Sequence, residues 1–176
     1  LIRTALEDCD ATLSYRYPDK FWACAYPSEF KPVLATCVPT ERNGNISADG
    51  MTYYFPIQKD VYFHNVDKLT PEDVEYTYER ALIEGDAEGE SWMLINALFG
   101  GYSINDLALE VTGHFTDDLV RRADSDDEAR KDLRKVCKKI QEAIEVKGNV
   151  VVFHLYKPRA DFLALLAQDG PSFNHI

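Results

Sequence analysis

The side chains able to do chemistry are plentiful in this chain, and their spacing decides what they can do. The four histidines are His64, His114, His154 and His175. None stands in an H-x-x-x-H or H-E-x-x-H pair, the helical spacings that aim two imidazoles at one zinc ion. His64 and His154 fall in predicted strands that could be neighbours. A metal would need further ligands there, and a satisfied or solvent-facing histidine is the commoner outcome. Cys9, Cys24, Cys37 and Cys137 form no C-x-x-C pair, which argues against a zinc or redox motif. A disulfide or two, for instance Cys9 with Cys24, and free half-buried thiols stay open as alternatives. Glu72, Asp73 and Glu75 are a dense acidic cluster, but the first two sit where a helix starts and are explained by its positive dipole end. Helix-cap acids do not make a general acid–base pair. No G-x-S-x-G, Gly-rich phosphate loop or Cys–His motif occurs. The residues therefore read as a non-enzyme, with no catalytic residue, no metal site and no cofactor.

The elements that must carry these side chains are legible in part. The 176 residues suffice for one domain with a real core. A net charge of −11 excludes the counterion-displacing surface that nucleic acid requires, and disfavours docking on anionic lipid. Its plainest role is solubility. No apolar run is long enough to insert this stretch into a membrane.

The central stretch runs from Ile46 to Leu82. Asp49-Gly50 is a tight-turn dipeptide, and Met51 to Ile57 reads as a strand with one covered face. Val61 to His64 reads as a second short strand. Thr70 as N-cap, Pro71 at the first helical position and two acids in the first turn predict a helix over 71–83, with Gly85 as its stop. Further strands are expected at 33–38 and 150–155, with 143–146 forming a hairpin onto the latter. Further helices are expected at 91–99, 125–143 and 160–167. In the third helix, Asp124 or Ser125 caps, and Leu133, Val136, Cys137, Ile140 and Ile144 make the apolar stripe. Ser103 to Val120 alternates helix and loop. Leu1 to Leu13 is a short helix or an extended arm, and the aromatics between Tyr15 and Tyr26 form a packing surface more often than a ligand platform. The fold class is α+β, an antiparallel sheet with several flanking helices.

The string itself carries a resemblance. Pro32, Leu34, Ala35 and Thr36 open a pattern continued by Ser47, Asp49, Gly50, Tyr53, Phe55 and Ile57. Val61, Phe63, His64, Leu69, Thr70, Glu72, Asp73, Val74, Glu79 and Arg80 then follow at fixed spacing. A second block runs from Ala143 and Ile144 through Val150, Val152, Phe153, Leu155 and Pro158 to Phe162, Leu163 and Leu166. Between them Trp92, Met93, Leu94, Leu98 and Gly100 fit an apolar run. Together these blocks resemble the extracellular solute-binding proteins of family 5, the oligopeptide-, dipeptide- and nickel-binding subunits of ABC importers. Two residues depart from the pattern: Asp60 and Val66 stand where the family commonly has Gly.

The resemblance implies a piece of a larger two-lobed protein, with a periplasmic-binding-protein-like subdomain. Residues 1–30 would lead from the first lobe, and 31–176 would form the accessory α+β subdomain beside it. The parent would capture peptides or a similar small solute outside the cytoplasm and hand them to an ABC-transporter permease. Sensing the solute for a regulator or receptor is the alternative, with nickel or oligosaccharide as other cargo. By family analogy Trp92 could wall the pocket, and Phe173, within the return of the chain from Gly170 to the first lobe, could reach it. Core packing for Trp92 and a frayed terminus for Phe173 are the plainer readings of both.

Overall fold

The computed structural model describes residues 1–4, 30–84 and 91–167. Expectations for residues 5–13, the aromatics between Tyr15 and Tyr26, Gly85, the pair of Cys9 with Cys24, Phe173 and His175 lie outside the described residues. The described elements are β1 (Ile2–Thr4), β2 (Phe30–Pro32), β3 (Thr52–Pro56), α1 (Pro71–Glu84), α2 (Ser91–Phe99), α3 (Ile104–Thr112), α4 (Leu119–Arg122), α5 (Asp127–Ala143), β4 (Ile144–Lys147), β5 (Val150–His154) and α6 (Phe162–Leu166).

The main sheet is antiparallel with strand order β3-β5-β4, and β1 pairs with β2 in a separate two-stranded ribbon. The apolar run of β5 explains its central place. Val151, Val152 and Phe153 are all fully buried, so both faces of that strand are covered. In β3 burial alternates instead: Tyr53 and Phe55 point into the core while Thr52, Tyr54 and Pro56 are half-buried. The β4–β5 hairpin closes over Gly148-Asn149. Gly148 has φ +64° while Asn149 is not left-handed, the pattern of a type II′ turn.

Aromatic packing joins the sheet to its helices. The Phe153 ring lies 5.6 Å from Phe55, 5.1 Å from Tyr78 on α1 and 5.7 Å from Phe162 on α6, all edge-on. Tyr53 closes the set at 4.8 Å from Phe162. Such pairs contribute beyond the area they bury, about 1 kcal/mol each. The α1 start forms as its sequence predicts. The Asp73 backbone N–H donates to Thr70 Oγ1 at 3.3 Å and the Thr70 N–H donates to Asp73 Oδ2 at 2.7 Å, a reciprocal capping box.

Three expectations are corrected. Residues 33–38 form no strand. The Val33 and Ala35 N–H groups both donate to Leu1 O, and contact with the sheet is a single bridge, Ala35 to Ile57. Gln58 fixes this bend by donating Nε2 to the Val33 and Ala35 carbonyls, so the segment turns between two sheets and extends neither. Residues 61–64 form no sheet strand either. They fold back on their own continuation through a bridge from Tyr62 to Lys68, with Leu69 N–H donating to Val61 O. The α5 cap is Asp126, whose Oδ1 accepts from Glu128 and Ala129, because Ser125 and Asp126 still donate to Arg122 O and close the preceding turn.

The small 61–69 hairpin shows what the two departures from glycine cost. Asp60 is not left-handed, so nothing there requires Gly. Val66 has φ +68° and is 80% exposed, at the left-handed position where its N–H donates back to Phe63 O. A β-branched residue is strained in that region by about 1–2 kcal/mol, part of which Gly would return to chain entropy. Val66→Gly should therefore stabilise the chain by about 1 kcal/mol in thermal or urea unfolding. Phe153→Ala should cost about 3–5 kcal/mol, since it leaves a cavity between three rings and two helices.

Candidate functional site

An open groove lies where the ends of four helices meet. Its floor is Ile83 of α1, Ile95 of α2, Ile104 of α3 and Leu119 of α4, and its volume is about 700 Å³. Asp117, Asp118 and Asp124 make its rim acidic, with Arg121 beside them. Two features set the wall between α2 and α3. Gly100, at φ +80°, ends α2, and a Cβ there would stand 2.8 Å from the Tyr156 ring. The chain then turns, Ser103 caps α3 by accepting from Asp106 N–H, and the Tyr102 N–H donates to Asp106 Oδ2 at 2.9 Å. This reversal brings Tyr102 back along α2, where its ring lies 6.0 Å from that of Trp92, tilted by 35°.

Trp92 is thus no core residue. It is 40% exposed and Tyr102 is 62% exposed, a pair of rings presented to solvent beside the groove that Tyr102 lines. Indole and phenol faces offer apolar contact with a polar edge, suited to holding organic groups without reacting with them. Tyr102 is the residue that sequence reading missed. Its signal was the Gly100-Gly101 break followed by Ser103 as a cap, which forces the chain to double back. Phe173 lies outside the described residues.

The histidines are not brought together on one pair of strands. His64 sits in the turn of the 61–69 hairpin, apart from the sheet. His154 ends β5, where its ring meets Thr52 Oγ1 at 3.3 Å and the Glu145 carboxylate. Cys37 and Cys137 are half-buried free thiols. Cys37 Sγ accepts from Asn45 Nδ2 at 3.2 Å, and burial, then Glu79, pushes the Cys137 thiol up. Among the described residues no three His, Cys, Asp or Glu side chains are placed to share a metal ion. Nor is any described helix long and apolar enough to cross a membrane.

A second polar cluster pins the loop after α3 to α5. The Asp132 side chain is 3% exposed and lies on the buried stripe of Ala129, Val136, Ile140 and Ala143. Lys135 Nζ reaches its Oδ1 at 2.9 Å, and His114 Nε2 stands 2.8 Å from its Oδ2. The Lys135 hydrogen bond, with the Lys135 and His114 charges, holds the Asp132 carboxyl below its ordinary range. Spacing alone marked Asp132, since it falls three residues after Ala129 and four before Val136.

The geometry defines an α+β domain that presents an acidic groove and an aromatic pair on a packed scaffold. The chain belongs to the bacterial extracellular solute-binding proteins, family 5: the model of that family's middle region matches residues 29–175. Two solved structures are similar to it. One is described as the structure and mode of peptide binding of the pheromone receptor PrgZ. It is 15% identical, with 79% of this chain and 21% of that chain covered and a TM-score of 0.48. The other is Listeria monocytogenes OppA bound to peptide, 18% identical, with 82% of this chain and 22% of that chain covered and a TM-score of 0.43. The chain thus spans about a fifth of the length of these two proteins. No curated protein matches it.

Asp132→Asn should lower stability at neutral pH by about 2 kcal/mol, because it strips the charge from a buried group that faces His114 and is bonded by Lys135. A depressed carboxyl contributes stability above its unfolded value, about 3.9, and loses it as pH falls through the folded one. The gap between wild type and variant should therefore close in acid, as read by urea unfolding across that range.

Proposed function

We propose that this chain is the accessory subdomain of the first lobe in a two-lobed extracytoplasmic protein that captures peptides, or a similar small solute, for an ABC-transporter permease. The observation that carries this reading is the family match over residues 29–175, which takes in both sequence blocks and the whole main sheet. Residues 31–176 would form the subdomain, and 1–30 the segment leading from the first lobe. Peptide is the cargo favoured here, with nickel or oligosaccharide as the alternatives, because the exposed rings of Trp92 and Tyr102 offer apolar faces to an organic solute.

In this reading the subdomain is a scaffold. Its packed sheet and helices position one wall, and solute is enclosed when the lobes close. Trp92, with Tyr102 against it, supplies that wall's aromatic surface, and Phe173 belongs to the return toward the first lobe. The family is a solute-binding one, and a non-catalytic role is proposed for this member.

Isothermal calorimetry with a mixed peptide library tests both parts. The 176-residue chain alone should give no binding heat, while the full-length protein should bind. Trp92→Ala in the full-length protein should weaken binding about tenfold, roughly 1.4 kcal/mol, with the fold intact by circular dichroism. Tight peptide binding by the chain alone, or an unchanged affinity in the variant, would overturn the respective part.

A further inference from the structure

Asn43-Gly44 is the only Asn-Gly pair in the 176 residues. Glycine has no Cβ to hinder its backbone nitrogen, so that nitrogen can attack the side-chain amide before it. Both residues are exposed, so water reaches the pair. Yet the folded turn holds each polar group that the attack involves. Gly44, at φ +74°, donates its N–H to Glu41 O at 3.1 Å. Asn43 Oδ1 accepts from the Thr40 N–H at 2.9 Å and from the Asn45 N–H at 3.1 Å. Asn43 Nδ2 donates to Val38 O at 2.9 Å and reaches Cys37 Sγ at 3.9 Å. The Asn43 N–H donates to Thr40 Oγ1 at 3.1 Å, which completes a reciprocal box between the two residues.

The same turn covers a sheet edge. The Asn45 N–H also donates to Thr40 O at 3.2 Å, and the Asn45 carbonyl accepts from the Tyr54 N–H at 2.9 Å, on the side of β3 away from β5. Ile46 bridges to Tyr53 and Ala35 to Ile57, so residues 35–46 lie along that edge. An aspartate at position 43 would keep an acceptor but lose both Nδ2 donor bonds, and it would set a carboxylate against the Val38 carbonyl. An isoaspartate would also lengthen the backbone by a methylene inside the turn.

We propose that Asn43 is a deamidation site shielded by the closed 40–45 turn, and that its conversion unlatches this turn from the edge of β3. This goes beyond the solute-capture reading and does not rest on it. When the turn opens, Gly44 N gives its proton to solvent and bonds to Asn43 Cγ. The Cγ–Nδ2 bond breaks, the departing nitrogen takes a proton from solvent, and ammonia leaves a succinimide behind. Water then opens the ring: cleavage at Cγ gives aspartate, and cleavage at the main-chain carbonyl carbon gives isoaspartate. The balance is a water taken up and an ammonia released, with no oxidant or reductant. In the closed turn the first step is opposed, because the attacking N–H and both ends of the amide are already bonded.

Peptide mapping by mass spectrometry with isoaspartate detection, on the 176-residue chain aged in mildly alkaline buffer, reads the site. Mapping is required because Asp49-Gly50 closes the same ring with loss of water. Conversion at Asn43 should run about tenfold faster in the urea-unfolded chain than in the folded one. Equal rates would overturn the shield, and an Asn43 that stays intact in urea would overturn the site. Thr40→Ala removes the hydroxyl that accepts the Asn43 N–H, so it should speed conversion in the folded chain about fivefold; an unchanged rate would count against the turn as the shield. Amide hydrogen exchange reads the unlatching. In Asn43→Asp the Tyr54 N–H should exchange about tenfold faster than in the wild type, while the Phe153 N–H of the central strand keeps its rate. An unchanged Tyr54 rate, or equal acceleration of both amides, would refute it. If that variant fails to fold, exchange in the aged wild-type chain decides.

Discussion

Phe153 is the residue on which the described fold converges. It lies on the central strand, and its ring meets Phe55 from the neighbouring strand, Tyr78 from α1 and Phe162 from α6. A strand apolar on both faces must be covered on both; α1 and α6 cover the face that carries Phe153, while β3 and β4 pair with the two edges of β5. The rest follows outward. α5 feeds directly into β4 without a loop, since the Ile144 N–H still donates to Ile140 O. α2 is tied back to the end of β5 by the Tyr156 N–H donating to Ala97 O. Arg159 Nη1 donates to Asn96 Oδ1 at 3.1 Å, so the turn before α6 is fixed to the same helix.

That dependence explains how an aromatic pair can be held at the surface. Trp92 and Tyr102 project from a helix and a turn whose buried sides are fully packed: Leu94, Ile95, Ala97 and Leu98 below, and Ile104 and Leu107 beyond. Ordering two large side chains costs less when the backbone beneath them is already fixed. In the proposed role this rigidity is what the domain supplies to a two-lobed protein. In that role the lobes would move against one another while the wall they close on keeps its shape.

Local signals read well where chemistry within a few residues decides the outcome. The helix start at Thr70, Pro71, Glu72 and Asp73, the Gly148-Asn149 turn and the apolar run of β5 all formed as their residues dictate. The strands expected at 33–38 and 61–64 did not, for a topological reason. Once β5 takes the centre, β3 and β4 fill its two edges, and among the described residues the outer side of β3 and its continuation are met only by bridges from Ala35 and Ile46. β propensity does not say whether a partner edge is free. The site was less legible than the fold. Tyr102 reaches Trp92 through a chain reversal, and Asp132 is buried by a loop arriving from another helix. Both depend on contacts between elements, which a periodicity does not contain. The family resemblance carried more, because the spacing of its two blocks already encodes that long-range arrangement.

The central claim is that this domain frames a solute-binding cleft without itself being the cleft. A crystal structure of the full-length protein with its solute bound tests it most directly. The account predicts residues 31–176 as one rigid subdomain beside the first lobe, with the solute enclosed between lobes and touched from this domain chiefly by its aromatic wall. A solute seated wholly within the groove of Ile83, Ile95, Ile104 and Leu119, with no contact from another lobe, would contradict it.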